Sequence, residues 1–378
     1  MQVSLALSYT EAGMLVTGAG ALRVPGSFLA GMLASRYSSR IIIGTSTLIA
    51  GVAMFLLGAA PTFLIALVAM FGMGVTSGAA LTPMMGLLSP WFDARQRGLV
   101  AGIAAAGGSL AFVVAGVLVP WLITRNPGVG WRHSWYLFGM GALAVGSLSL
   151  IFLRDRPYQF SSSRSQPASQ QRSYGSWPVA TYQNPLVWLV TLLVFCSGWS
   201  QGIFNTFFGT YLSQENAIDL TEVGQLLILI GSLSIGSGII WGRISDWIGR
   251  GQAFLLAFLV QGISFALIWL IPVWGAFVIA AVLMGLTLRA TFTICAAAAG
   301  DYVPVQFAAA AFALMSAGAS LGNALSPALT GAIADASGTL RGAFALAMGG
   351  TVAGAAGSLL LCRATTVRDR QLSQLNAD

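Results

Sequence analysis

The chain is a series of long apolar runs broken by short polar punctuation. A helix rises 1.5 Å per residue, so about 20 apolar residues cross a hydrocarbon core about 30 Å thick. Residues 41–92 carry no charge and are long enough for two such helices, with Pro61-Thr62 marking the turn. Residues 98–124, 133–153, 185–212, 223–242, 302–334 and 342–362 each read as one span. Residues 251–300, interrupted by Arg289, read as two helices turning near Pro272, and residues 11–34, with Arg23 inside, add another. The pattern predicts an all-α polytopic membrane protein with eleven spans.

Composition agrees. Of 378 residues, 56% are hydrophobic and 8% are charged, whereas a soluble globule needs about a quarter of its residues charged. Cys196, Cys295 and Cys362 have no paired spacing, which suggests neither disulfides nor a metal site. There is no Walker phosphate loop, zinc spacing or nucleophile–base pair, so the chain reads as a non-enzyme without a cofactor or metal.

The net charge of +7 would suggest nucleic acid in a soluble protein. Here the basic residues, all arginine, sort by loop. Arg36, Arg40, Arg95, Arg97, Arg154, Arg156, Arg164, Arg172, Arg243, Arg250, Arg363, Arg368 and Arg370 fall on one side. Arg125, Arg132 and Arg341 fall on the other. By the positive-inside rule the first group is cytoplasmic, so the charge reads as orientation and no nucleic-acid partner is expected. The Ser- and Gln-rich stretch 154–184 reads as a linker between residues 1–153 and 185–362, with 363–378 a cytoplasmic tail.

The two blocks are related. Thr10-Glu11-Ala12-Gly13 matches Thr221-Glu222-Val223-Gly224 at an offset of 211, which also pairs Gly20 with Gly231, Gly31 with Gly242, Gly107 with Gly318 and Ser109 with Ser320. Such half-repeats mark secondary transporters, whose site lies between the halves. Projecting 185–212 back by 211 places its counterpart before Met1, so the repeat implies a first helix absent from this chain.

Each repeated helix ends in a related loop. The second reads Gly242-Arg243-Ile244-Ser245-Asp246-Trp247-Ile248-Gly249-Arg250, and the first runs from Gly31 to Arg40 through Arg36. This pattern resembles the loop signature of the major facilitator superfamily, with Trp247 in place of a basic residue and Ser35 in place of the acid. Trp91-Phe92-Asp93-Ala94-Arg95-Gln96-Arg97-Gly98 resembles the loop before helix V of its carboxylate-porter-like members. The resemblance implies two pseudo-symmetric bundles, here helices II–XII in a 5 + 6 arrangement, working by alternating access as a monomer in a bacterial inner membrane. It implies conformational roles for Gly242, Asp246, Gly249, Arg250, Gly31, Arg36 and Arg40.

Two arginines are left over. Arg23 lies 12 residues from both Glu11 and Ser35, and Arg289 lies 15 from Trp274 and 12 from Asp301, near mid-depth, where charge is costly without water, a partner or a substrate. A carbonyl-bonded arginine at a helix break is the structural alternative for both. No acidic residue lies at that depth, so a small organic anion such as a carboxylate would supply the counter-charge. Gln201 and Asn205 share a helix face, and with Trp199 and Tyr211 complete the candidate substrate-binding set. Coupling to a co-transported ion or proton is open. Two alternatives stand beside anion transport: efflux of amphipathic drugs, suggested by Phe204, Phe207 and Phe208, and a non-transporting receptor or scaffold.

Overall fold

A computed structural model describes residues 2, 4–91, 94–155, 182–303 and 307–375; most of the 154–184 linker lies outside them. Five helices form the first bundle: α1 (Tyr9–Arg36), α2 (Ser39–Ala59), α3 (Phe63–Trp91), α4 (Ala94–Arg125) and α5 (Gly130–Phe152). The second comprises α6 (Pro185–Thr210), α7 (Leu220–Ile248), α8 (Arg250–Leu270), α9 (Trp274–Thr287), α10 (Ala290–Tyr302), α11 (Ala308–Ser337) and α12 (Arg341–Leu375). A π-helical turn, Tyr211–Glu215, extends α6. The helix starts follow ordinary capping chemistry. Ser8 and Glu11 form a capping box at α1, and Asn184 and Asp219 cap α6 and α7.

Helices α9 and α10 are two halves of one span, broken at Leu288-Arg289. Counted so, the described residues form eleven long helical elements. Among the described residues, nine are long and apolar enough to cross a membrane. The exceptions are α1 and α11, which are rich in Gly, Ala and Ser. They pack on each other across the bundle interface, where small side chains allow close approach.

The bundles meet chiefly along two helix pairs, α1 with α11 and α4 with α7. The 211-residue repeat relates these seams. A Cβ at Gly13 would fall 2.2 Å from the Pro327 carbonyl oxygen, and one at Gly116 would fall 2.5 Å from the Gly224 carbonyl oxygen. Gly13 and Gly224 are repeat mates, as are Gly116 and Pro327. One step further in, Gly20 packs on Ala324 and Gly231 packs on Ser109, Phe112 and Val113. Beyond that level α7 no longer meets α4: among the described residues a Cβ at Gly238 or Gly242, further along the same face of α7 toward the arginine-rich side, would meet only Thr293 and Arg289 of its own bundle.

The second bundle's core has two layers. One, around Phe254, Phe258 and Met315, lies toward the arginine-rich side, and the other, around Phe204, Phe208, Phe265 and Phe344, lies toward the opposite side. Phe204, Phe207 and Phe208 are each at most 2% exposed. They fill this core and do not line the space between the bundles.

Candidate functional site

The site is built around the break between α9 and α10. Interrupting a helix frees backbone groups that lipid cannot satisfy, and three neighbouring helices supply partners. Trp241 Nε1 of α7 donates to the Leu286 carbonyl at 2.8 Å, and Gln261 Nε2 of α8 donates to that of Thr287 at 3.2 Å. Gln201 Nε2 of α6 reaches the Leu288 carbonyl at 3.5 Å. The Arg289 amide donates to Ser237 Oγ at 3.2 Å, and the Thr293 amide and hydroxyl return to the Arg289 carbonyl at 3.1 and 3.0 Å. Buried Ser197 and Thr291 share a 2.7 Å hydrogen bond that ties the start of α10 to α6. The Arg289 backbone is therefore fixed to the second bundle.

Its side chain reaches the first bundle. Arg289 Nε donates to Ser109 Oγ of α4 at 3.4 Å, and Nη2 lies 2.3 Å from where a Cβ at Gly108 would be. A Cβ at 108 would make the guanidinium tip shift from this position. Arg289 is half-buried and Ser109 fully buried. Among the described residues neither Arg289 nor Arg23 forms an ion pair.

Arg23 occupies a related position in the first bundle. Its carbonyl packs on Gly78 of α3, the repeat mate of Arg289, and accepts from Ser27 Oγ at 3.0 Å. Its side chain is exposed. Each bundle thus contributes one arginine at related depth, from α1 in the first and from the α9–α10 break in the second.

The remaining predicted residues divide. Gln201 joins Arg289 at the break, and exposed Asn205 lies one turn along the same helix. Trp199 points elsewhere: its ring packs on Gly350 of α12, while its backbone nitrogen faces Gly322 of α11. Tyr211 is 2% exposed and packed on Phe277 and Phe344. The reading from sequence missed Ser109, Ser237, Trp241 and Gln261; of these, only Ser109 had a signal, its pairing with Ser320 in the repeat.

Away from the break, both membrane faces carry charged contacts. On the arginine-rich face Arg250 bonds Asp246 and Asp301, each at 2.6 Å, and donates to Ser245 Oγ at 2.7 Å. Burial lowers the Arg250 pKa, but the two carboxylates outweigh it and hold it above its ordinary value. Gly249, at φ +90°, makes the turn into α8, and Gly242 faces Thr293. In the first bundle Asp155 takes the place of the missing loop acid, accepting from Ser38 Oγ and from the Arg40 amide at 3.0 Å. Gly31 and Arg36 lie in the last turns of α1, and the Arg36 side chain is outside the described residues.

On the opposite face the bundles are tied together. Asp335, at the end of α11, accepts from the amides of Tyr9 and Thr10 at 2.9 and 2.8 Å and from Thr10 Oγ1 at 2.5 Å. Glu215 accepts from Thr339 Oγ1 and the Leu340 amide at 2.7 and 2.6 Å, capping α12. Burial and the nearby Glu215 push the Tyr9 hydroxyl up.

Comparison with known proteins gives one family. A model described as Major Facilitator Superfamily matches residues 1–199 and 190–376. Among curated proteins, the "Probable sulfoacetate transporter SauU" of Cupriavidus necator is 26% identical over 256 residues, 65% of this chain and 59% of that protein. The hexuronate transporter of Bacillus subtilis is 22% identical over 67% of this chain and 60% of its own length. The chain thus spans about three fifths of the length of these relatives. Among solved structures, an inward-facing, unoccupied bacterial homologue of the human lysosomal transporter Spinster superposes with a TM-score of 0.78 at 18% identity, covering 96% of this chain and 91% of that one.

Proposed function

The chain belongs to the Major Facilitator Superfamily, and from that premise we propose that it is a secondary active transporter of a small organic anion, working by alternating access. One observation carries the reading. Arg289 sits between the bundles at a helix break, held by its backbone to one and touching the other with its side chain. A carboxylate or sulfonate placed there gains charge-assisted, bidentate hydrogen bonds from the guanidinium. Arg23 supplies a second positive charge, and Gln201 and Asn205 add neutral donors. Trp199 and Tyr211 act through packing of the surrounding helices.

The named relatives support this substrate class, since sulfoacetate and hexuronates are small organic anions. The seams support the cycle. Both are packed on the Asp335 side, and α7 parts from α4 toward the arginine-rich side, which is inward-facing if those loops are cytoplasmic. Gly242, Asp246, Gly249 and Arg250, with Gly31, Arg36 and Arg40, then form the cytoplasmic loops that re-form contacts when that side closes. The C-terminus is cytoplasmic, and the protein acts as a monomer in a bacterial inner membrane.

The test is uptake of labelled sulfoacetate, hexuronates and simple dicarboxylates into proteoliposomes, with sodium and proton gradients imposed in turn, beside efflux of a cationic dye. Saturable anion uptake supports the proposal. Dye movement without anion uptake overturns it.

A further inference from the structure

We propose that Ser109 parks Arg289 on the first bundle while the site is empty, so that anion binding and release of this cross-bundle contact are one event. The inference rests on Arg289 being the anion ligand and adds what that arginine does beforehand.

The contact is built but weak. The Ser109 hydroxyl is the one acceptor of the Arg289 guanidinium among the described residues, and the 3.4 Å separation is long for a hydrogen bond. Gly108 lets the guanidinium rest against α4, where a Cβ would make Nη2 shift. The Arg289 backbone is held through Ser237 and Thr293, so the side chain can change partner without moving α10. A carboxylate or sulfonate outcompetes a neutral hydroxyl for a guanidinium because its hydrogen bonds are charge-assisted.

Location makes the exchange consequential. Ser109 lies at the inner limit of the closed α4–α7 seam, where its own carbonyl packs on Gly231. One step inward, at Gly238, a Cβ would meet only Thr293 and Arg289 of the second bundle among the described residues. Among the described residues the parked guanidinium therefore sits at the inner end of the α4–α7 seam. A ligand shifts a conformational equilibrium only through its differential affinity for the two states. An anion that takes Arg289 from Ser109 removes a contact specific to this state, which favours closure of the arginine-rich side.

Two readouts test this. In the first, sulfoacetate and the anion best transported by the wild type are titrated against wild type, Ser109→Ala, Ser109→Thr and Arg289→Gln. Loss of the competing hydroxyl should tighten binding in Ser109→Ala by roughly two- to tenfold, while Ser109→Thr, which keeps the hydroxyl, stays at wild type. In the second, without ligand, the spacing of spin labels at Ile103 and Ile239, exposed on the inner halves of α4 and α7, is measured. Ser109→Ala should gain a shorter-distance population that Ser109→Thr lacks. If Arg289→Gln binds anions as wild type does, the underlying assignment fails. If Arg289→Gln loses binding but Ser109→Ala binds equally or more weakly with unchanged label spacing, the parking role is overturned and the assignment stands.

Discussion

The Asp335 carboxylate at the end of α11 accepts hydrogen bonds from the backbone amides of Tyr9 and Thr10 at the start of α1. One bundle thus caps the first helix of the other, over a sequence separation of 325 residues or more. The α1–α11 seam continues inward from this cap to Gly20 and Ala324. Asp335→Asn removes the charge from the cap, worth about 1 kcal/mol at an exposed helix end, or about fivefold in the balance of states. Cysteine labelling from the Asp335 side should rise by about that factor.

The same carboxylate gives a pH dependence. Burial raises its pKa, but the bonds from Thr10 and Tyr9 outweigh this and hold it below the ordinary value. The latched state therefore binds protons less readily than the unlatched one. The latch is fully present above the ordinary Asp pKa of about 3.9 and is lost as pH falls through and below that value. Labelling on the Asp335 side should increase on acidification in wild type, and Asp335→Asn should lack that part of the response.

At the helix break, the two indoor donors are not equivalent. Trp241→Phe deprives the Leu286 carbonyl of its partner and should cost about 1–3 kcal/mol, read as a lowered Tm in detergent. Gln261→Met also removes a donor, from the Thr287 carbonyl, but takes away a buried Oε1 that has no partner among the described residues. Its cost should be smaller. Equal losses would contradict this account of how the break is satisfied.

Gly116 has a steric role. A Cβ there would fall 2.5 Å from the Gly224 carbonyl oxygen, so Gly116→Val should hold the α4–α7 seam apart. Overpacking of about 1–3 kcal/mol should slow turnover about tenfold while the protein still folds, as seen by an unchanged elution profile. Wild-type turnover would contradict a seam that must close to this distance.

Spans and seams were legible in the sequence for different reasons. Charge-free run lengths locate the helices because lipid demands about 20 apolar residues whatever the partners. The 211-residue offset located Gly13, Gly20, Gly224 and Gly231, which lie in the interfaces because only small residues let helices approach. Arg23 and Arg289 stood out because charge at mid-depth is costly. The break at Leu288-Arg289 was legible only as an alternative reading of Arg289, since no proline or glycine marks it and its partners come from Ser237, Trp241, Gln201 and Gln261 on three other helices. Phe204, Phe207 and Phe208 suggested an aromatic cavity face, but apolar residues read alike whether they meet a cavity or a core. The latch at Asp335 was hidden by the distance along the chain to Tyr9.

The central claim is that Arg289 holds a small organic anion between the bundles. Its most direct test is equilibrium binding of the best transported anion to purified wild type, Arg289→Lys and Arg289→Gln, with folding checked by Tm. The account predicts at least about a tenfold loss for Arg289→Gln, equivalent to about 1.4 kcal/mol, and an intermediate loss for Arg289→Lys, which keeps the charge but not the bidentate fork. Wild-type affinity in a folded Arg289→Gln protein would contradict it.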